Sequence, residues 1–237
     1  MCSMLRSISR RYIFVKEQCV YAVRRSPYCS SPPSGSESAE YEELRQLKDI
    51  KSKSFYEEEG KRRNYFYYID LQGRLFLEDT VPKNIATSLK SDKFLNFFFR
   101  QLKDNNTKKF DDYPYFSPCG NESNYVKCAD TPIVFSDLVK DEKRGGIHVL
   151  TWGHSLSIPF EADKLRISVE TGRLYHPFPT KNAKKFNRVG GMYGLLKSHL
   201  TISMSDRILV SNENNDGDES EAFYFAWDDK HHEIDVA

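Results

Sequence analysis

Cysteine and histidine are the residue types in this chain that could carry covalent chemistry. Cys119 lies in the segment SPCG, where the following turn exposes peptide N–H groups that could lower a thiol pKa or hold an oxyanion. A nucleophilic thiol also needs a base, and His154 and His176 are candidates by residue type alone. A small thiol-dependent enzyme is therefore one hypothesis, and histidines held by loop hydrogen bonds are the structural alternative.

The spacing of these residues does not predict a metal site. Cys119 and Cys128 lie nine positions apart, whereas paired zinc cysteines are separated by roughly two to four residues. No Walker loop, GxSxG motif or Rossmann fingerprint occurs either, so we predict neither a metal nor a cofactor. The neighbouring acids Glu78 and Asp79 flank a turn and are expected to be ordinary solvated carboxylates.

The segment LQGRLF at residues 71–76 has an echo, ETGRLY, at residues 170–175. Each copy places a glycine where a tight turn needs a positive φ, and each glycine is followed by an arginine. Arg74 and Arg173 could together bind an anion, although a solvent-facing strand arginine is the more common outcome. The echo also favours a duplicated hairpin.

Charge is distributed unevenly along the chain. Residues 1–29 contain six Lys/Arg and one Glu, with several serines and an apolar helical face, a composition typical of a mitochondrial transit peptide. We therefore predict import into the mitochondrial matrix. Without these residues the formal net charge falls from +1 to −4, so nucleic acid is an unlikely partner. The basic loop at 181–188, which includes Phe186, nevertheless leaves weak RNA binding as an alternative.

The remaining chain divides into a linker and one globular region. Residues 30–63 are rich in Ser, Pro and charge and are predicted to be disordered or partly helical. Residues 64–237 alternate short β-prone segments with turn residues, and one apolar helix is predicted at 93–104. The even-numbered apolar residues from Leu196 to Ile208 also predict a strand. The sequence contains no run of about eighteen apolar residues, the length that a helix needs to span a bilayer.

This pattern predicts an α+β domain with a mostly antiparallel sheet. Two structural repeats, 64–140 and 147–237, are one interpretation, and two domains sharing a sheet are another. The aromatic segment YFYYID offers Tyr65 and Tyr67 as a partner-binding surface. The leading functional hypothesis is a non-enzymatic binding or protein-interaction module whose partner is an unidentified protein or small molecule.

Four blocks carry a family resemblance: YFYYIDLQGRLFLEDT, FLNFFFRQL, PYFSPCGNESNYVKCADTPIVF and TGRLYHPFP. They resemble uncharacterised protein family 0598, over most of residues 64–210. This resemblance implies a mitochondrial location and supplies no activity or catalytic residues. The segments YVKCADTPIVF and LYHPF are also similar to a bacterial family of unknown function, which implies an α+β fold built from a repeated motif.

Overall fold

The computed structural model describes residues 50–178, 192–215 and 218–236. The first half of this region contains two helices and five strands. In chain order they are α1 (Lys53–Lys61), β1 (Asn64–Ile69), β2 (Leu75–Leu77), α2 (Asp92–Gln101), β3 (Lys103–Asp104), β4 (Tyr115–Cys119) and β5 (Glu122–Cys128). Within the described residues, we find no helix with the length and apolar character needed to cross a bilayer.

The second half contains ten further strands and one helix. They are β6 (Val134–Phe135), β7 (Asp137–Asp141), β8 (Ile147–Trp152), β9 (Leu156–Pro159), β10 (Arg166–Ile167), β11 (Leu174–Pro177), β12 (Tyr193–Leu196), α3 (Ser198–Met204), β13 (Ile208–Asn215), β14 (Asp218–Trp227) and β15 (Lys230–Val236). Short 3-10 turns lie at Glu142–Arg144, Ala162–Lys164 and Ser205–Arg207. The protein is broadly α+β, as the sequence predicts.

The first sheet has the strand order β2-β1-β5-β4-β3. Its opening hairpin joins β1 to β2 through a turn in which the Asp70 carboxylate accepts the N–H groups of Gln72 and Arg74. Gly73 adopts a φ of 72°, and a Cβ added there would lie 3.0 Å from the Cβ of Val134. The turn therefore needs glycine both for its backbone conformation and for its close contact with the start of β6.

The second sheet has the order β13-β14-β15-β10-β11-β12-β6, and β7, β8 and β9 form a separate antiparallel sheet. The hairpin β10–β11, which the echo predicts, is present, and β14 and β15 form a further hairpin. Three strand pairs are parallel, however: β1 with β5, β10 with β15, and β12 with β6. Alternation along a strand shows which face is buried but not the direction of a distant partner, which is why these pairs were not predicted.

One continuous hydrophobic core joins the three sheets. It includes Phe98 and Phe99 of α2, Phe135 of β6, and Phe225 of β14. Helix α2 begins after Ser91, whose hydroxyl accepts the N–H of Phe94, and ends at Gln101 rather than at the predicted residue 104. Residues 103 and 104 belong to β3, which pairs with β4.

Helix α3 replaces part of the strand predicted between Leu196 and Ile208. Leu196, Leu200 and Met204 are buried, and they recur every four residues as well as on even positions. Ile202, which the strand pattern placed on the same face, is exposed. The buried residues thus match a helical period, and the even spacing that favoured a strand was ambiguous.

Helical structure is present before residue 64, where the globular region was predicted to begin. Helix α1 lies inside the predicted linker and packs Phe55 and Tyr56 against a small aromatic cluster. That cluster consists of Phe66, Tyr113, Phe116 and Tyr125. Tertiary contact supplies the docking surface that a short helix lacks in isolation. The predicted transit peptide at 1–29 and the basic loop at 181–188 lie outside the described residues.

Candidate functional site

The segment between β2 and α2, residues 78–91, exposes apolar side chains to solvent; we call it the β2–α2 loop. Val81 is 59% exposed and Ile85 is 70% exposed, the largest values among the exposed large hydrophobic residues of the described chain. Leu77, at the end of β2, is also exposed. Contiguous exposed apolar surface is a common feature of interaction sites, and the grouping of these three residues within one short segment makes the loop a candidate.

Hydrogen bonds fix the backbone that carries these side chains. The Asn84 Oδ1 accepts the N–H groups of Ala86 and Thr87, at 2.8 and 3.2 Å. The Thr87 hydroxyl donates to the Pro82 carbonyl oxygen at 2.7 Å. Further along, the Leu89 N–H donates to the Leu75 carbonyl oxygen at 2.8 Å, which ties the loop to β2. Val81 and Ile85 are therefore presented by an ordered loop.

The side chain of Lys83 hydrogen-bonds to the backbone of the same loop. Its ammonium donates to the carbonyl oxygens of Glu78 and Thr80, at 2.7 and 3.0 Å. Burial lowers the pKa of Lys83, and the nearby carboxylates of Glu78 and Asp79 oppose that effect. The side chain thus acts as an internal brace, while its neighbours along the loop face solvent.

A buried carboxylate anchors the base of the loop. Glu78 is only 3% exposed. Its carboxylate accepts the Tyr56 hydroxyl at 2.8 Å and the Tyr113 hydroxyl, and it pairs with the Lys127 ammonium at 3.2 Å. Burial, followed by interactions with neighbours that include Glu78, raises the pKa of both phenols, so they remain proton donors. We call these four residues the Glu78 cluster.

The expectation that Glu78 is a solvated turn carboxylate is wrong. Its partners come from α1, from the segment before β4, and from β5, far away in sequence. One local signal could have revealed it: Glu78 follows the buried Phe76 by two residues and so points to the same face of the strand.

Neither predicted arginine offers an unneutralised cation. The Arg74 Nε pairs with the Asp70 carboxylate at 2.6 Å, and the Arg173 Nη1 pairs with the Asp130 carboxylate at 3.0 Å. The Tyr175 hydroxyl also donates to Asp130, at 2.9 Å, and burial together with that hydrogen bond raises the pKa of Tyr175 to about 12. Each of the two hairpin arginines is thus paired with an aspartate, which weakens the hypothesis of a shared anion site.

The three candidate catalytic residues lie on separate elements. Cys119 ends β4, 3.8 Å from the Ser117 hydroxyl, and burial raises the pKa of its thiol. His154 lies in the turn between β8 and β9 and contacts Asp92 at 3.2 Å. Among the hydrogen bonds of the described residues, none joins Cys119 to either histidine.

The contacts of His176 indicate a structural role. It is buried and stacks on Phe160 at a ring separation of 5.6 Å. Its Nε2 accepts the Glu161 N–H at 3.0 Å, so the proton lies on Nδ1, which donates to the Pro177 carbonyl oxygen at 2.9 Å. Burial lowers the pKa of His176 to about 4. Both ring nitrogens are therefore engaged in holding the backbone around β11.

Tyr65 and Tyr67 do not form an exposed aromatic surface. Tyr67 is buried against Phe94 and Phe98, and Tyr65 packs at the edge of the same core. The reason is that β1 lies inside its sheet, between β2 and β5, with α2 against one face. Burial raises the pKa of the Tyr67 phenol. In the part of the chain that is described, no group of three or more His, Cys, Asp or Glu side chains could hold a metal ion.

The chain is similar to one known protein family and to two solved structures. A family model described as "Domain of unknown function (DUF4505)" matches residues 56–237. The chain belongs to the DUF4505 family. Two solved structures are also similar: a DUF1285 family protein from Shewanella baltica OS155, and another from Silicibacter pomeroyi DSS-3.

These two likenesses are distant. The Shewanella protein shares 17% identity over 56% of this chain and 84% of its own, with a TM-score of 0.35. The Silicibacter protein shares 15% identity over 81% of this chain and 93% of its own, with a TM-score of 0.39. The DUF4505 match itself begins at Tyr56, so the whole Glu78 cluster and the β2–α2 loop lie within the family domain.

Proposed function

We propose that this DUF4505 protein is a non-enzymatic binding module that contacts its partner through the β2–α2 loop. The observation that carries the proposal is the exposure of Val81 and Ile85 on a hydrogen-bonded loop. Covering two β-branched apolar side chains with a partner removes apolar surface from water, which makes the free energy of binding more favourable. The loop is therefore the part of the described surface best suited to recognition.

The anchoring of the loop favours binding in a second way. Lys83 braces the loop from inside, and the Glu78 cluster holds its first residue to three other elements. A segment that is ordered before binding loses less conformational entropy when its partner arrives. On this proposal, the Glu78 cluster serves to hold the β2–α2 loop in the conformation that binds the partner.

A non-enzymatic role is also supported by the environments of the candidate catalytic residues. Catalytic thiols usually have a lowered pKa, whereas burial raises the pKa of the Cys119 thiol. His176 uses both ring nitrogens to hold backbone groups, and His154 contacts Asp92 in an exposed turn. The thiol-enzyme hypothesis lacks a base beside its nucleophile among the described residues.

We further infer that the domain contains two copies of one structural unit. The support is the order of the strands: β2-β1-β5-β4-β3 in the first sheet, and β11-β10-β15-β14-β13 within the second. In each unit a hairpin precedes a helix and three strands, and the last strand runs parallel to the first. The second unit contains one additional strand, β12, between its hairpin and its helix. On this proposal the units span 64–128 and 166–236, which is shorter than the 64–140 and 147–237 predicted from the sequence. The second strand of each hairpin begins at the leucine of the repeated GRL segment.

We also propose a location in the mitochondrial matrix. The support is the composition of residues 1–29, which are rich in arginine and serine and poor in acids. Mass spectrometry of the N-terminus of the endogenous protein tests this proposal. A mature end near residues 26–35 is expected, and an intact Met1 in mitochondria-free fractions would contradict it.

Photo-crosslinking tests the binding proposal without assuming a partner. In cells that express the full chain, p-benzoylphenylalanine takes the place of Ile85, and in a matched control it takes the place of Ile202, which is 48% exposed on α3. Illumination should produce an adduct, protein or lipid, at position 85 and not at position 202. No adduct at 85, or the same adducts at both positions, would refute the loop as the binding site.

A further inference from the structure

We propose that the β2–α2 loop and the outer face of α2 dock on the surface of an anionic lipid bilayer. This inference rests on the proposed function and names its partner. Three observations support it: a cationic stripe on α2, a concentration of positive charge in an otherwise acidic region, and exposed apolar side chains in the loop that leads into α2.

The outer face of α2 presents Lys93, Phe97 and Arg100. These residues are spaced by four and three positions, so they lie on one side of the helix. All three are exposed, and Phe97 is 46% exposed. The opposite side buries Phe98 and Phe99 in the core. Thus α2 is fixed to the protein by one face and carries two cations around an aromatic ring on the other.

Positive charge is concentrated in this part of the chain. Residues 81–103 contain five Lys/Arg and one acid, a net charge of +4. Residues 30–237 together carry −4, so the rest of that region carries −8. The acid in the segment, Asp92, faces the imidazole of His154 at 3.2 Å. Lys83 donates inward to the loop and Lys103 is only partly exposed, so the exposed cations of the segment are Lys90, Lys93 and Arg100. A negatively charged partner would be attracted to these cations.

The apolar residues distinguish a bilayer from a nucleic acid. Val81 and Ile85 are aliphatic, and the loop that carries them leads directly into α2 at Ser91. Aliphatic side chains gain free energy when they enter the boundary between headgroups and acyl chains, while nearby cations attract anionic headgroups. A phosphate backbone would satisfy the cations but would leave the aliphatic side chains in water.

Vesicle crosslinking with the full chain tests this inference. p-Benzoylphenylalanine replaces Phe97, and the protein is illuminated with phosphatidylcholine vesicles that contain or lack about 30% phosphatidylglycerol. We expect a lipid adduct at position 97 that requires the anionic lipid and decreases with added salt. A crosslinker in place of Ile202 should give no such adduct. Because residues 1–29 are identical in every sample, they cannot account for a difference between these two positions.

Charge variants then test the stripe. Lys93→Gln combined with Arg100→Gln should lower the yield of the lipid adduct at position 97 by roughly 25-fold, about fivefold for each cation. The control pair Lys143→Gln and Lys230→Gln removes two exposed charges elsewhere and should leave the yield unchanged. Circular dichroism should show the same fold for both pairs, because all four side chains lie on the surface.

Three results would overturn the inference: no lipid adduct at 97, an adduct that does not need anionic lipid, or equal effects of the two charge pairs. Displacement of the vesicle adduct by a crosslink to added poly(U) RNA would also overturn it. If position 85 still crosslinks to a protein in cells while vesicles give no adduct, the membrane inference fails and the proposed binding function remains. If neither experiment gives an adduct, both fail.

Discussion

Replacing Glu78 by glutamine tests whether the Glu78 cluster anchors the β2–α2 loop. The substitution keeps the size of the side chain and removes its charge. In the native protein the carboxylate is buried, accepts the hydroxyls of Tyr56 and Tyr113, and lies 3.2 Å from the Lys127 ammonium. After the change, a largely buried ammonium would lack its counter-ion, and the hydrogen bonds to the phenols would become neutral ones.

The expected cost can be worked from these contacts. Removing one partner of a buried ion pair costs about 3 to 5 kcal/mol of the free energy of unfolding. The Lys127 side chain is 16% exposed, so water partly screens it, and we expect the low end, about 3 kcal/mol. Lys127→Met should cost about as much, since it leaves the carboxylate with two phenols and without its ion-pair partner.

Urea unfolding followed by circular dichroism measures these changes, and a double variant isolates the pair. Glu78→Gln with Lys127→Met should cost about 2 kcal/mol less than the sum of the single variants, because each single change already breaks the interaction. Glu58→Gln is the matched control. Glu58 pairs with Arg62 at 2.8 Å on the exposed side of α1, and its loss should cost less than about 0.5 kcal/mol.

Glu78 would not be the anchor of the loop if the costs of the single variants added up to that of the double variant, or if Glu78→Gln cost no more than Glu58→Gln. Either result would mean that the charge of Glu78 contributes little and that packing alone holds the loop. Hydrogen exchange should show the same effect locally. Amides of residues 80–90 should lose protection in Glu78→Gln before those of β14 and β15 do.

Two further predictions concern titratable groups. The unfolded chain protonates its histidines near their ordinary pKa of 6.5, whereas burial lowers the pKa of His176 to about 4, so the folded protein resists that proton. The free energy of unfolding should be intact above pH 6.5 and should fall by about 3 kcal/mol as the pH decreases to 4. His176→Gln should abolish this component, whereas the exposed control His231→Gln should retain it; equal pH profiles for wild type and His176→Gln would contradict the assignment. For Cys119, burial raises the thiol pKa, so its peptide should alkylate with iodoacetamide more slowly at neutral pH than free glutathione does. Faster alkylation would revive the thiol-enzyme hypothesis.

Local patterns predicted the hairpins well. In both hairpins that carry the GRL segment, β-prone residues flank a short turn, and the strands β1–β2 and β10–β11 pair as expected. Gly73 and Gly172 both adopt positive φ values, 72° and 66°. These features depend on residues a few positions apart, so a sequence contains the information needed to predict them.

Ambiguous patterns were decided by burial. Leu196, Leu200 and Met204 satisfy both a period of two and a period of about four, and only packing against the core selects the helix. Likewise, the local sequence of β1 predicts an aromatic strand but does not show what packs against it. Its place between two neighbours, with α2 packed against it, turns Tyr67 from a possible binding residue into a core residue.

The sequence alone determined the hairpin positions, the apolar helix α2, the absence of common catalytic motifs and the uneven distribution of charge. Only the tertiary structure decided that β1 and β5 run parallel, that Arg74 and Arg173 are each neutralised by an aspartate, and which distant residues contact Glu78. The physical reason is contact distance along the chain. Glu78 meets residues 56, 113 and 127, and no local pattern specifies which distant groups will surround a carboxylate once the core has closed.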